Sequence, residues 1–182
     1  MHPVIVSVEN LPPEGKAVPF RFPATELDRL LAGEDVTETR AASDLEGEAR
    51  VIPSGRDVFV LGTLRGRVTY RCVRCLEPFE EGVAGDFHLV YTRETGREDA
   101  EMELRREDLE IEVLEGTTLD LAKAVGEQLF LALRPHPVCR ETCKGLCSTC
   151  GGNRNLSECT CPEAPADPRF AVLGSLKNRH TG

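Results

Sequence analysis

The amino-acid sequence predicts an α+β fold: an antiparallel meander sheet or open barrel with one main helix, followed by a cysteine-rich appendage and a C-terminal helix. Apolar and polar residues alternate between residues 45 and 91, which is typical of half-buried strands. Apolar residues recur with a helical period between residues 121 and 132. Six of the eight cysteines lie between Cys139 and Cys161. We therefore expect an α+β domain over 1–138, a cysteine-rich segment over 139–161, and a linker with the last helix over 162–182.

The residues before position 45 predict one strand and one helix. Residues 4–8 are mostly β-branched, which favours a short strand. Thr25 is placed to cap a helix that ends at Gly33. The apolar face of this helix would consist of Leu27, Leu30 and Leu31. The acidic stretch at 34–38 predicts a solvated loop.

Three alternating segments joined by short turns predict the meander. The first covers residues 45–51 and is followed by a turn at 53–57. The second, residues 58–71, is the longest, and the third covers residues 83–91. A C-x2-C pair at 72–75 falls at the bend between the second and third strands. The positions expected to face the core are Val58, Val60, Leu64, Val68, Tyr70, Val83, Phe87, Leu89 and Tyr91.

The main helix follows a charged loop at 97–108 and a short strand at 111–113. Thr117 and Asp120 fit a capping box for this helix. Its inward face would consist of Leu121, Val125, Leu129 and Ala132. After the linker, Asp167 can cap a last short helix. The apolar face of that helix would consist of Phe170, Leu173 and Leu176.

Composition and charge restrict the class of protein. The formal net charge is -9 and aromatic residues make up 5% of the chain, with no Trp. This argues against non-specific nucleic-acid binding and against base-stacking platforms, which need clustered cations and aromatic rings. We find no secretory signal and no apolar run long enough to span a membrane. The expected compartment is the cytoplasm, where thiols stay reduced and eight cysteines favour metal binding over disulfides.

The cysteines form four close pairs, the arrangement by which structural zinc sites are usually built. The pairs are Cys72-x2-Cys75, Cys139-x3-Cys143, Cys147-x2-Cys150 and Cys159-x-Cys161. The simplest partition makes a local zinc-binding unit from the last two pairs. The first two pairs would then form a second site, so we expect two structural Zn2+ ions. A reverse partition, with Cys143 in the local unit and Cys139 free, leaves only three ligands upstream and is less economical.

Other uses of the cysteines fit the sequence less well. A disulfide framework suits a short secreted chain. A thioredoxin-like pair would open a helix, whereas Cys72 and Cys75 lie between two predicted strands. Catalytic zinc sites keep an open position beside His or carboxylate ligands. We therefore expect the metal to be structural.

Cations flank the cysteines and offer candidate RNA-binding residues. The candidates are Arg65, Arg67, Arg71, Arg74, Arg140, Lys144 and Arg154. Those nearest the cysteines could form a basic patch for RNA phosphate, or could simply neutralise thiolates. Arg65, Arg67 and Arg71 share one strand face opposite Glu46 and Glu48, and cross-strand ion pairs explain them more simply.

Several segments together resemble the bacterial YceD family, whose members are called large ribosomal RNA subunit accumulation proteins. The matching segments are CVRCLEPF at 72–79, LALRP at 131–135, CKGLCSTCGGNRN at 143–155 and DPRFAVLGSLK at 167–177. The resemblance implies a cytoplasmic, non-enzymatic factor for synthesis, processing or stability of large-subunit ribosomal RNA. It also implies that the factor binds this RNA or the pre-ribosome.

Two alternative functions remain open at this level. The acidic chain could be a zinc-dependent adaptor that meets a basic ribosomal protein or a processing nuclease. A redox-regulated protein could instead use Cys72 and Cys75 as a reversible disulfide. The sequence predicts no membrane partner.

Overall fold

The computed structural model describes residues 2–33, 38–93, 111–114 and 116–162. The chain forms two compact units. Unit 1 comprises Met1–Arg71 and Pro78–Pro137, and unit 2 comprises Cys72–Glu77 and Val138–Gly182. The charged loop predicted at 97–108 and the linker and helix predicted after residue 162 lie outside the described residues, as does most of the acidic loop at 34–38.

Unit 1 is an α+β structure with a mostly antiparallel sheet, as predicted. Its elements are β1 (Ile5–Ser7), β2 (Lys16–Phe22), α1 (Ala24–Gly33), β3 (Arg40–Ala41), β4 (Leu45–Ser54), β5 (Asp57–Arg71), β6 (Pro78–Arg93), β7 (Ile111–Leu114), β8 (Thr118–Asp120) and α2 (Leu121–Ala132). The main sheet has the order β2-β4-β5-β6-β7, and β3 pairs with β5. A small second sheet pairs β1 with β8, which leads directly into α2. Among the described residues, neither helix combines the length and apolar character that crossing a bilayer requires.

The central meander forms from β4, β5 and β6, because their alternating patterns place one apolar face inward. The buried residues include Val58, Val60, Leu64, Val68, Tyr70, Val83, Phe87 and Tyr91, as predicted, whereas Leu89 is only partly buried. Leu121, Val125 and Leu129 of α2 are also buried, and Ala132 is partly buried against the same core. The register between β5 and β6 runs from Asp57↔Thr92 to Arg71↔Pro78. These two long strands therefore meet at the six-residue connection that holds Cys72 and Cys75.

Both predicted helix caps are wrong. Thr25 lies inside α1, and the carboxylate of Asp44 accepts a hydrogen bond from the N–H of Ala24 at 3.0 Å. Asp120 is itself the N-cap of α2, since its carboxylate accepts from the N–H groups of Ala122 and Lys123. Thr117 precedes β8 and takes no part in the cap. A three-residue strand occupies the positions that the capping box assigned to the first helical turn.

The sheet also contains two features that the sequence analysis did not predict. β2 is a seven-residue strand that includes Pro19 and buries Phe20 and Phe22. It lies at the end of the main sheet, where a proline without an N–H donor is tolerated. β7 pairs with β6 in parallel, so the sheet is not a pure meander.

Candidate metal centre

The first cysteine cluster consists of Cys72, Cys75, Cys139 and Cys143. The loop after β5 supplies the first two thiols, and the segment after α2 supplies the others. All four Sγ atoms lie within 4.8 Å of one another. The Sγ atoms of Cys72 and Cys143 are 3.9 Å apart, and those of Cys75 and Cys139 are 3.8 Å apart. A tetrahedron with Zn–S bonds of about 2.3 Å has edges of about 3.8 Å, so these distances fit a four-thiolate metal site.

The second cysteine cluster consists of Cys147, Cys150, Cys159 and Cys161, whose Sγ atoms also lie within 4.8 Å of one another. It is formed from one continuous stretch of unit 2. The structure thus groups the eight thiols as the more economical partition does, with Cys139 and Cys143 together. All eight cysteines are free thiols. A reversible disulfide between Cys72 and Cys75 stays a prediction.

The two C-x2-C loops share one backbone hydrogen-bond pattern. In the first knuckle, Cys72–Glu77, the N–H of Leu76 donates to the carbonyl of Cys72 at 2.8 Å, and the N–H of Cys72 donates to the carbonyl of Glu77 at 2.9 Å. In the second knuckle, residues 147–152, Gly151 donates to Cys147 at 2.9 Å and Cys147 donates to Gly152 at 2.8 Å. The residue after the second cysteine is left-handed in both, with φ of 62° at Leu76 and 71° at Gly151.

Backbone N–H groups point at the first thiol of each knuckle. Arg74 and Cys75 donate to Cys72, and Thr149 and Cys150 donate to Cys147 in the same relative positions. The N–H of Cys139 adds a further donor to Cys72 at 3.4 Å. Such N–H···S bonds stabilise a thiolate and orient it towards a shared metal ion.

The pKa values of the thiols diverge within each cluster. Burial raises the pKa of Cys139 to about 12, and neighbouring thiols add to this effect. Burial acts in the same direction on Cys72, but three backbone N–H donors outweigh it and lower the pKa of that thiol to about 6. In the second cluster, N–H donors lower the pKa of Cys147 to about 6, while the Cys150 thiol raises the pKa of Cys161 to about 12.

The opposite pKa shifts within each cluster indicate whether a cation fits among the four thiols. Four thiols within 4.8 Å cannot all ionise together, because each thiolate raises the pKa of its neighbours. A divalent cation held by the four sulfur atoms reverses that effect and allows all of them to ionise. The donor set and its geometry therefore fit a soft divalent metal in both clusters.

The clusters differ in burial. Cys72, Cys75 and Cys143 of the first cluster are buried, whereas Cys150 and Cys159 of the second are exposed. Among the described residues of unit 2, the buried positions are these three cysteines and Gly145. This part of the chain has no buried Val, Leu, Ile or Phe, so an apolar core does not hold it together.

Two asparagines that follow the second knuckle have structural roles that the sequence analysis missed. The side chain of Asn155 donates to Sγ of Cys143 at 3.3 Å and accepts from the N–H of Lys144 at 2.9 Å. Asn153 donates to the carboxylate of Glu77 at 3.2 Å. Their N-x-N spacing directly after the glycine pair was the available signal.

The structure divides the candidate RNA-binding residues between the two units. In unit 1, Arg65 pairs with Glu46, Arg67 with Glu80 and Arg71 with Glu38. The cross-strand interpretation is thus supported at Arg65, whose partner lies directly opposite it on β4.

In unit 2, the guanidinium of Arg74 donates to the carbonyls of Glu141 and Cys143, and that of Arg140 donates to Asn155. Lys144 lies 3.8 Å from the exposed carboxylate of Glu158. The side chain of Arg154 is exposed and forms no hydrogen bond or ion pair with the described residues. Arg154 is therefore the candidate in this unit whose charge is most available, and Lys144 is held only by a long, exposed ion pair.

Comparison with known proteins gives one family match. Residues 60–177 match the family model described as "Large ribosomal RNA subunit accumulation protein YceD". This range includes both knuckles and all eight cysteines. No solved structure matches the chain significantly.

Curated relatives come from plants and mycobacteria. A protein of Zea mays named "Large ribosomal RNA subunit accumulation protein YCED homolog 1, chloroplastic" is 26% identical over 156 residues, which cover 72% of this chain and 48% of the relative. The protein of the same name from Arabidopsis thaliana is 23% identical over 172 residues, which cover 82% of this chain and 54% of the relative. An uncharacterized protein of Mycobacterium bovis is 31% identical over 129 residues, which cover 71% of this chain and 60% of the relative. The chain thus spans about half the length of the plant relatives it matches.

Proposed function

Because this chain belongs to the YceD family, we propose that it is a non-enzymatic factor for the accumulation of large-subunit ribosomal RNA, with unit 2 held together by two structural Zn2+ ions. The family match is the observation that carries the role in RNA accumulation, since the plant relatives are named for it. The proposal places the protein in the cytoplasm, where thiols stay reduced.

The zinc part of the proposal is supported by the two sets of four thiols. Tetrahedral sulfur sites select Zn2+ or iron, and four protein ligands leave no open position for substrate or water. Zn2+ in such a site supplies cross-linking of the chain. The thiols of the first cluster would connect the loop after β5 to residues 139–143, and those of the second would close residues 147–161.

Direct RNA contact is proposed for unit 2, because its charge balance differs from that of unit 1. Unit 2 carries seven Lys and Arg against five Asp and Glu, whereas unit 1 carries 15 against 26. Phosphate contacts need cations that are not already paired. Arg154 meets that condition, and Lys144, 3.8 Å from Glu158, is less closely paired than Arg65 and Arg67, which lie 3.2 Å from their carboxylates.

The first test is crosslinking of the protein to RNA in growing cells, followed by sequencing of the recovered RNA. We expect reads concentrated in one region of large-subunit ribosomal RNA. Replacing Lys144 and Arg154 together by Ala should reduce recovery, while Arg65→Ala serves as the matched control and should leave it unchanged. Depletion of the protein should lower the ratio of large-subunit to small-subunit ribosomal RNA. An unchanged ratio would contradict the accumulation role itself.

A second candidate function is supported by the acidity of unit 1. A unit whose sequence contains 26 acidic and 15 basic residues suits a basic protein partner, such as a ribosomal protein or a processing nuclease. RNA recovery no better than that of a non-binding control, together with a lowered ribosomal RNA ratio on depletion, would favour this adaptor role. The partner should then co-purify after nuclease treatment and dissociate as salt is raised.

A further inference from the structure

The base of the second knuckle is hydrogen-bonded to the first. Leu146 and Asn153 form an antiparallel bridge that closes the second knuckle, as an ordinary strand pair would. The N–H of Leu146 donates to the carbonyl of Arg74 at 3.0 Å, inside the first knuckle. On the other side of the bridge, the amide of Asn153 donates to Glu77 at 3.2 Å. Both arms of the bridge therefore contact the first knuckle.

The backbone of Gly145 lies close to the backbone of Arg74 at these contacts. Gly145 has a φ of 70°, and a Cβ at this position would lie 3.0 Å from the carbonyl oxygen of Arg74. The N–H of Arg154 donates to the carbonyl of Gly145 at 2.9 Å. Residue 145 must therefore be small and left-handed for the two knuckles to pair.

Asn155 connects this arrangement to a sulfur atom of the first cluster. Its Nδ2 donates to Sγ of Cys143 at 3.3 Å and to Oδ1 of Asn153 at 2.9 Å. Its Oδ1 accepts from the N–H of Lys144 at 2.9 Å and from the guanidinium of Arg140 at 3.0 Å. Asn155 is half-buried, and its amide is hydrogen-bonded at both ends. The side chain is therefore held in one orientation towards Cys143.

Asn155 lies within the loop that the second cluster closes. Cys147 and Cys150 precede it and Cys159 and Cys161 follow it, so a metal ion bound by these thiols restricts the conformations of residues 151–158. Restricting a loop in the conformation that makes a contact lowers the entropic cost of that contact. Metal at the second cluster should thus favour the Asn155 donor to Cys143, and hence metal at the first cluster.

We propose that the two cysteine clusters bind metal cooperatively, with Asn155 as the positioning residue that transmits occupancy of the second cluster to Cys143 of the first. This inference rests on the zinc part of the proposed function. Coupling of this kind is reciprocal, so metal at the first cluster also favours metal at the second. Unit 2 then changes between metal-loaded and metal-free forms over a narrower range of metal concentration than two independent sites would.

The experiment is a double-mutant cycle on the full chain, measured by Co2+ titration and displacement with Zn2+. The variants are Cys150→Ser, Asn155→Ala and the two combined. Cys150→Ser should weaken Co2+ binding at the first cluster by about 5- to 150-fold, the usual range of coupling between sites. In the Asn155→Ala background, Cys150→Ser should cause little further loss. Ser157→Ala, in the same loop, is the matched control and should behave like wild type.

A second variant and a spectrum separate positioning from general damage. Asn155→Asp keeps the acceptor for Lys144 but loses the donor to Cys143. Loss of this donor leaves the Cys143 thiolate richer in electrons and should shift the sulfur-to-cobalt charge-transfer band of the first cluster to lower energy. The near-ultraviolet signal of Tyr70 and Tyr91, both in unit 1, should not change in any variant.

The outcomes distinguish this inference from the proposed function. Wild-type protein that binds no Co2+ or Zn2+ would remove the zinc part of the proposal, and the coupling with it. Two metal ions bound, with affinity at the first cluster unchanged by Cys150→Ser, would overturn the coupling and leave the zinc sites intact. Equal losses of first-cluster affinity from Cys150→Ser with and without Asn155 would overturn the role given to Asn155. An unshifted charge-transfer band in Asn155→Asp would overturn the role given to Asn155.

Discussion

The two knuckles have the same backbone hydrogen bonds in very different surroundings. The first knuckle connects strands of 15 and 16 residues, and both of its thiols are buried. The second is closed by a single bridge, and one of its thiols is exposed. The comparison shows that a C-x2-C loop forms its backbone geometry locally, whereas the burial of its thiols differs between the two places in the chain.

The same contrast extends to the two units. Unit 1 buries apolar side chains from the main sheet and from both helices. The described part of unit 2 buries cysteines in place of apolar residues. Its order should therefore depend on metal in a way that the order of unit 1 does not.

The largest effect is expected from removing both metal ions with a strong chelator. Structural zinc contributes about 10–16 kcal/mol of apparent binding free energy in small zinc domains, and in unit 2 little else opposes unfolding. Residues 138–162 should become sensitive to protease, while the tyrosine signal of unit 1 remains. Retained protease resistance in this segment after complete metal removal would contradict the dependence of unit 2 on metal.

Limited chelation should reveal different rates of metal release from the two cysteine clusters. Because Cys150 and Cys159 are exposed, the second cluster should open and release its metal first. An opening barrier lower by about 1.4 kcal/mol is enough for release about tenfold faster. Alkylation followed by mass spectrometry would show which thiols react first. Equal modification rates for Cys75 and Cys150 would show that burial does not control release.

A smaller effect is expected from Gly151→Ala. A Cβ at this position meets no atom within 4 Å, so the cost comes from the left-handed backbone alone. We expect about 1 kcal/mol, which corresponds to about fivefold weaker metal binding at the second cluster. Gly55→Ala, at a φ of 62° and equally open in unit 1, is the matched control. It should lower the stability of unit 1 and leave metal affinity unchanged.

The smallest effect is expected from Arg65→Ala on the strand that leads to the first knuckle. Arg65 and Glu46 form an exposed ion pair at 3.2 Å, and such pairs contribute about 0–1 kcal/mol. The free energy of unfolding of unit 1, measured by thermal unfolding, should fall by no more than this, and metal binding should not change. A loss of metal at the first cluster would contradict a role for Arg65 in its surface ion pair alone.

The sequence was sufficient for features that depend on near neighbours in the chain. Alternation along β5 identified the buried face, because side chains of a strand point alternately to its two sides. The helical period of α2 identified Val125 and Leu129 as core residues, and the pairing of cysteines indicated two sites of four thiols. These patterns need only the local geometry of a strand, a helix or a tight loop.

The tertiary structure decided the features that join distant residues. The first turn of α1 is capped by Asp44, 20 residues from Ala24, so no local capping signal could identify it. Parallel pairing of β7 with β6 depends on the path of the intervening chain. The donor from Asn155 to Cys143 spans 12 residues and joins the two sides of the second knuckle, which the Leu146–Asn153 bridge closes. Spacing thus favoured one grouping of the thiols over another, and three-dimensional packing determined which thiols lie together, which are buried and which side chains hold them in place.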